Sequence, residues 1–238
     1  MSIVALIDHA VLQPTQTDDD LRAACRLCAE VGTASVCVKP SMIPLTVELL
    51  AGSKVLPSTV IGFPHGGTTT GAKVRETEIA CREGAREVDM VVNIGRVLAG
   101  DWAYVLADIR AVREAATAGG AITKVIFETG LLPNDDLKIR LCELSQEAGV
   151  AFVKTSTGFG MVKDSSGGMK ATGATEHDIK LMRAHTKSPV EVKASGGIRS
   201  YEDAKLFVSL GATRLGTSGT EVIAAGERGE QTKKNEGY

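Results

Sequence analysis

The sequence predicts a single (β/α)8 barrel, and three observations predict it. The chain has 238 residues, close to the ~250 of one such barrel. Short apolar, β-branched runs alternate with amphipathic runs of helical period, which implies a parallel sheet whose strands are joined by helices. Eight strand candidates fit into this length, which favours a closed barrel over a doubly wound open sheet.

The elements follow in order. Ile3–Asp8 reads as the first strand and ends on a polar residue. Thr17 is placed to cap a helix whose first turn carries Asp18, Asp19 and Asp20, where negative charge suits the helix dipole. Leu21, Ala24, Cys25, Cys28 and Ala29 form its apolar stripe and Gly32 ends it. Ala34–Lys39 is the second strand, followed by a helix from Ser41–Pro44 to Leu50. Ser58–Phe63 is the third, leading into the loop PHGGTTTG and a helix over Lys73–Glu83. Arg86–Asn93 is the fourth, with a long helix over Trp102–Ala118. Ala121–Glu128 is the fifth, with a helix over Asp135–Ala148 ended by Gly149. Val150–Ser156 is the sixth, and a glycine-rich loop precedes the helix Glu176–His185. Pro189–Ser195 is the seventh; Ser200 caps the helix Tyr201–Leu210, with Asp203 at the box position and Gly211 as its C-cap. Thr213–Thr217 is the eighth, and a short helix follows at Thr220–Ala225. The expected domain is one barrel over residues 1–225, with a polar, glycine-containing and mobile tail over 226–238.

Composition narrows the function. Hydrophobic residues make up 43% and charged residues 24%, so a packed core forms without metals or disulfides. The formal net charge is −2 with no polybasic stripe, which argues against a nucleic-acid surface. The five cysteines are odd in number and lie mostly in apolar runs, pointing to a reducing, cytoplasmic compartment. Cys25 and Cys28 read as buried core. A charged-then-apolar leader and an 18-residue apolar run are both missing from the sequence, so neither secretion nor membrane insertion is expected. His9, His177 and His185 have no metal-ligand spacing, and no metal or cofactor is expected; His65 reads as a solvated loop histidine.

Catalytic groups in a barrel stand at the C-terminal ends of strands. Asp8, Asp89 with Asn93 on the same face, Glu128, Lys154 and Lys193 hold such positions. The two lysines are the sharpest signal: each comes late in an apolar strand, the strands are adjacent, and burial without a partner is costly. If both point inward, burial and mutual repulsion lower a lysine pKa from ~10.4 by a few units, each worth ~1.4 kcal/mol. A neutral amine is the nucleophile that attacks a carbonyl. One lysine would then be the nucleophile, the other its electrostatic partner, and Asp89 a proton carrier. The opposing reading is that both lysines only form ion pairs with Asp89, Glu128 or Glu191, and that Asp89 only neutralises them. Cys37, inside a strand, reads as core. TSTGFG (155–160), ASGGIR (194–199) and LGTSG (215–219) follow three successive strands; their small residues and the helix capped by Ser200 suit an anion, although glycine serves ordinary turns as well.

The segments EVDMVVNIG (87–95), KVIFETGLL (124–132), FVKTSTGFG (152–160), EVKASGGIR (191–199) and RLGTSG (214–219) resemble, in order, the signature segments of deoxyribose-phosphate aldolase, as do LIDHAVLQPTQT (6–17) and SVCVKPSMI (35–43). The resemblance spans nearly the whole chain. It implies a TIM-barrel class I aldolase, a lyase of deoxyribonucleotide catabolism and carbohydrate degradation. Such an enzyme reversibly cleaves 2-deoxy-D-ribose 5-phosphate to acetaldehyde and D-glyceraldehyde 3-phosphate without a metal. It further implies Lys154 as the Schiff-base residue, Lys193 as its perturbing partner and Asp89 as acid/base. Phosphate contacts fall on Gly158, Gly196, Gly197, Gly216 and Ser218, assisting or near-site positions on Asp8 and Cys37, and a proton-relaying C-terminal tyrosine on Tyr238. A homo-oligomer, dimer or tetramer, is expected.

Three departures from the family pattern stand out. Gly160–Thr172 is longer than the family's loop and changes the pocket rim, where Lys163 or Lys170 could alter substrate reach. Glu191 stands where glycine is common and needs a partner, for which Lys124 deeper in the barrel is the candidate. Phe159 stands where some members carry a lysine, which removes one possible phosphate cation. Two other readings stay open on the residues alone: a different Schiff-base barrel enzyme acting on another sugar phosphate, and a barrel that binds phosphosugars without catalysis.

Overall fold

A computed structural model of the chain describes residues 2–163 and 166–230. Its strands are β1 (Ile7–Val11), β2 (Ser35–Val38), β3 (Leu56–Ile61), β4 (Glu87–Val91), β5 (Ile122–Ile126), β6 (Phe152–Lys154), β7 (Met161–Lys163), β8 (Met169–Ala171), β9 (Glu191–Ser195) and β10 (Arg214–Thr217). β1 to β6, β9 and β10 close into a parallel barrel in the order β1-β10-β9-β6-β5-β4-β3-β2. β7 and β8 form a separate antiparallel hairpin within the glycine-rich segment read as loop.

The helices are α1 (Asp18–Val31), α2 (Ile43–Leu49), α3 (Thr70–Arg82), α4 (Ile94–Leu98), α5 (Trp102–Ala118), α6 (Asp135–Ala148), α7 (Glu176–Ala184), α8 (Tyr201–Ser209) and α9 (Thr220–Glu227). Their ends obey local chemistry. Thr17 and Asp20 form a reciprocal capping box on α1, and Gly32 ends it in the left-handed region; Asn134 caps α6 by accepting from Leu137 N, and Gly149 ends it in the left-handed region. α3 starts three residues before the expected Lys73 because Thr69 caps it, accepting from Ala72 N.

Strand alternation divides the residues into two environments. Met90, Val125, Val153 and Val192 point outward and are fully buried against the helices, each contributing about 1.5–3 kcal/mol by leaving water. Asp89, Lys124, Lys154 and Lys193, one residue away in each strand, point inward and are also buried. The barrel wall is thus apolar on its outer face and charged on its inner one.

Four sequence expectations need correction. The first strand begins at Ile7, not Ile3: residues Val4–Leu6 form a single 3-10 turn, and Glu227 of α9 accepts from Ile3 N at 2.6 Å. Asp8 is therefore the second residue of β1 and lies at mid-depth, opposite Gly216 and Ser35. Asn93 lies beyond β4 and caps α4, its Oδ1 accepting from Arg96 N, so it does not share a strand face with Asp89. Glu191 does not meet Lys124: it opens β9 at the bottom rim, where Arg183 Nη1 (3.1 Å) and Thr213 Oγ1 (3.0 Å) donate to it. α9 runs on to Glu227, and Gly226 lies against Tyr201.

Candidate active site

The strand register places the two sequence-predicted lysines side by side: Lys154 on β6 is the direct partner of Lys193 on β9. Both donate to one atom, Oδ2 of Asp89, at 2.9 and 2.7 Å. Lys193 also donates to Asp8 Oδ2 at 2.5 Å. Beneath them Lys124, on β5 beside Asp89, lies 2.6 Å from Glu87, 2.8 Å from Asp89 and 3.3 Å from Asp8. Arg214 Nη1 closes the network on Asp8 (2.6 Å) and Glu87 (2.8 Å), with its guanidinium 4.9 Å from the Phe152 ring centroid. Ser35 Oγ donates to Asp8 Oδ1 at 2.7 Å.

Electroneutrality singles out one member. Four basic side chains (Lys124, Lys154, Lys193, Arg214) face three carboxylates (Asp8, Glu87, Asp89), so full ionisation leaves one uncompensated positive charge in a buried space, which low polarity penalises. Lys124 touches three carboxylates, Lys193 two, Arg214 two and Lys154 one. Lys154 is therefore the cheapest to deprotonate. Its pKa is lowered, by burial first and by the Lys193 charge, against the pull of Asp89. Burial would also lower Lys193, but Asp8 and Asp89 outweigh it and raise its pKa; Lys124 is raised in the same way by Asp8, Asp89 and Glu87. Burial alone would raise Asp8 and Asp89, yet the surrounding cations hold both below the usual carboxylate range. The arrangement presents a neutral amine beside an ammonium and a shared carboxylate, the set that attacks a carbonyl and moves the accompanying protons.

The backbone around Lys154 is fixed by its neighbours. Phe127 N donates to Lys154 O at 2.9 Å, and Thr155 N to Lys193 O at 3.2 Å. Glu128, in the left-handed region at φ 56°, accepts from Thr157 N at 3.2 Å and from Thr157 Oγ1. Burial raises the Glu128 pKa, opposed by those hydrogen bonds from Thr157 and by the charge of Lys154. Holding a non-glycine residue there costs about 1–3 kcal/mol, and the bonds to Thr157 tether the loop that follows Lys154.

The expected anion contacts separate into two places. Gly158, Gly196 and Gly197 have φ of +85°, +88° and +81°, conformations that favour glycine, and all three line one cavity of about 460 Å³ between the loops after β6 and β9. Gly216 is not in that cavity. It is a barrel residue whose missing side chain leaves room for its neighbours: a Cβ there would lie 2.5 Å from Ser195 Oγ and 3.2 Å from Lys193 Cε. Ser218 follows β10, where Thr217 Oγ1 donates to Ile198 O at 2.7 Å and ties the two loops together.

Cys37 is buried on β2 with Ala10, Leu12 and Val60, and the rings of Phe63 and Phe159 cover this apolar cluster; the two rings meet edge to face at 5.4 Å. His65 is exposed and lines a cavity of about 330 Å³ with Glu128, Thr157 and Phe159. Tyr238 lies outside the described residues. Sequence reasoning missed Glu87 and Arg214 and gave Lys124 the wrong partner. The signal for Glu87 and Lys124 was available: Glu87 is two residues from Asp89, and Lys124 is a lysine inside an apolar strand, the criterion that found Lys154.

Comparison with known proteins places this geometry in a family. The profile described as "DeoC/LacD family aldolase" matches residues 2–221. The deoxyribose-phosphate aldolase of Clostridium perfringens is 45% identical over 230 residues, 97% of each chain. That of Bacillus cytotoxicus is 47% identical over 223 residues, 94% of this chain and 95% of its own. The tetrameric structure of deoxyribose phosphate aldolase from Aeropyrum pernix superposes with a TM-score of 0.84 at 29% identity, covering 95% of this chain and 91% of that one.

Proposed function

The chain belongs to the DeoC/LacD family of aldolases, and from that premise we propose that it reversibly cleaves 2-deoxy-D-ribose 5-phosphate to acetaldehyde and D-glyceraldehyde 3-phosphate through an imine on Lys154. The observation that carries the assignment is the shared Asp89 oxygen: of the two lysines that reach it, Lys154 has the fewer anionic partners and the lowered pKa.

The cycle balances as follows. The neutral Nζ of Lys154 adds to C1 of the open-chain aldehyde, and the carbinolamine loses water to give an iminium ion. The C3 hydroxyl gives up its proton, the C2–C3 bond breaks, and its electron pair flows into the iminium to leave an enamine. Breaking C2–C3 leaves two carbons on the lysine and turns C3 into the new aldehyde. D-Glyceraldehyde 3-phosphate departs. C2 of the enamine takes a proton, and water hydrolyses the resulting imine to acetaldehyde and free Lys154. Asp89 and Lys193, both within hydrogen-bond distance of the amine or of each other, serve with water as the proton carriers. Asp8 holds Lys193 in its charged form.

The phosphate arm is assigned to the glycine loops, Gly158, Gly196 and Gly197 first, with Gly216 and Ser218 on the adjoining strand end. A dimer or tetramer is the proposed assembly, in keeping with the tetrameric Aeropyrum pernix relative. A cytoplasmic location accords with five free, buried cysteines. Among the described residues no helix is long and apolar enough to cross a membrane.

Borohydride reduction in the presence of acetaldehyde, followed by peptide mass analysis, tests the assignment. A two-carbon adduct on Lys154 is expected. An adduct on Lys193 alone reverses the roles of the two lysines, and no adduct removes the imine route.

A further inference from the structure

Arg214 and Glu87 take no part in the cycle, yet they close the buried charge cluster from below. Arg214 on β10 is the register partner of Lys193 on β9, but the two head groups diverge. Lys193 reaches Asp89, whereas Arg214 reaches Glu87, two residues earlier on β4, at 2.8 Å. Its guanidinium lies over the ring of Phe152, two residues before Lys154 on β6. A two-residue step along a strand is about 6.6 Å, so Arg214 and Glu87 form a layer beneath the rung of Lys154 and Lys193. Two chains of ion pairs lead up from it. One runs from Glu87 through Lys124 and Asp89 to Lys154, over 2.6, 2.8 and 2.9 Å. The other runs from Arg214 through Asp8, Lys193 and Asp89 to Lys154.

Arg214 differs from the other three bases in one respect: a guanidinium does not give up its proton in a protein. It is also the member of the cluster that reaches solvent, its side chain being 14% exposed against 2% or less for the other six. Its charge is therefore the same at every pH at which the chain is folded. With Arg214 charged, the three lysines exceed the remaining anionic capacity by one; without it, three lysines and three carboxylates balance when fully ionised. The excess that falls on Lys154 thus originates at Arg214. The other groups facing Lys154 do not change this count. Cys37, on β2, has its thiol pushed up by burial first and stays uncharged. Glu128, at the end of β5, is bound to Thr157 and outside the ladder of ion pairs.

We propose that Arg214 and Glu87 are positioning residues that set the charge of Lys154 from the layer beneath it, Arg214 favouring the neutral amine and Glu87 the ammonium. The inference rests on the imine reading for what Lys154 does, but protonation of its amine can be followed without any substrate. The experiment compares Arg214→Met, Glu87→Gln, the double variant and Arg214→Lys with wild type. Side-chain 15N NMR of lysine-labelled protein, with the Lys154 signal assigned from Lys154→Arg, reads the titration of the amine. The acid limb of kcat/KM for 2-deoxyribose 5-phosphate is measured in parallel.

Arg214→Met is expected to move the Lys154 titration and the acid limb to higher pH, and Glu87→Gln to move both to lower pH, each by at least about half a unit. The double variant loses one charge of each sign and returns close to wild type, and Arg214→Lys stays there. Should Arg214→Met fail to fold, the return from Glu87→Gln to the double variant carries the same comparison. A merely structural role lowers activity in both single variants without moving the titration in opposite directions. Smaller shifts, shifts of one sign in both, or a double variant that does not return overturn the proposal. Opposite shifts of the amine in a chain that forms no imine with acetaldehyde support the charged layer and remove the aldolase reading instead.

Discussion

Lys154 and Lys193 share a single carboxylate oxygen, Oδ2 of Asp89, from adjacent rungs of neighbouring strands. Full ionisation would leave an uncompensated charge in the cluster; Asp8 and Asp89 raise the pKa of Lys193, burial lowers that of Lys154, and the proposed nucleophile is therefore Lys154.

Lys154→Arg keeps a cation against Asp89 but cannot form an imine. Retro-aldol activity is expected to fall by at least roughly a thousandfold, the scale seen when a covalent nucleophile is removed. Circular dichroism and thermal unfolding check that the fold survives; residual activity near wild type would remove Lys154 from the reaction.

Lys193→Met removes the positive charge that disfavours protonation of Lys154 and leaves Asp89 to pull more strongly on it. Both effects raise the Lys154 pKa, so the neutral fraction at pH 7 drops. The acid limb of the pH profile of kcat/KM is expected to move to higher pH, with activity partly recovered on the alkaline side. An unshifted limb would show that Lys193 does not tune its neighbour.

Gly216→Ala forces a methyl group into Ser195 Oγ and the stem of Lys193. Overpacking of this kind costs about 1–3 kcal/mol, measurable as a lower urea midpoint, and activity falls with it because Lys193 must move. Retention of both would mean that the rung is more pliant than its spacing implies.

Asp8 and Asp89 have folded-state pKa values below the ordinary 3.8. Their contribution is therefore complete above about 3.8, the unfolded value, and is lost as pH falls toward the folded values. Urea unfolding between pH 7 and pH 3 is expected to show stability declining at the acid end, less steeply in Asp8→Asn. That variant also leaves Lys193 and Arg214 short of a partner and costs about 3–5 kcal/mol at neutral pH.

A second buried pair serves as a control away from the site. Lys73 Nζ, fully buried under α5, donates to Asp108 Oδ2 at 2.6 Å and to Val91 O at 2.9 Å. Lys73→Met strands a carboxylate and is expected to cost about 3–5 kcal/mol of stability, and Asp108→Leu on top of it to recover part of that. The imine adduct on Lys154 remains trappable in both of these variants where they fold.

Much of this molecule was legible before its coordinates. The helices Trp102–Ala118 and Asp135–Ala148 keep their sequence-read ends because caps and stripes are local signals. The facing of Lys154 and Lys193 was legible because adjacency and alternation fix it. What escaped was long-range. Ile3, read as the start of the first strand, instead donates its N–H to Glu227, more than 200 residues away. Glu87 and Arg214 meet only across the barrel axis, and no spacing rule connects β4 with β10. Glu191 and Lys193 have the same parity, but depth along the strand sends one to the rim and the other to the centre; alternation gives the face and says nothing of height.

Among the described residues β7 and β8 bond as a ladder only to each other. A rim piece built that way can lengthen, shorten or be exchanged without transmitting a register change to the lysines beneath. The length of this rim segment is therefore free to vary without moving the charged rungs of the barrel.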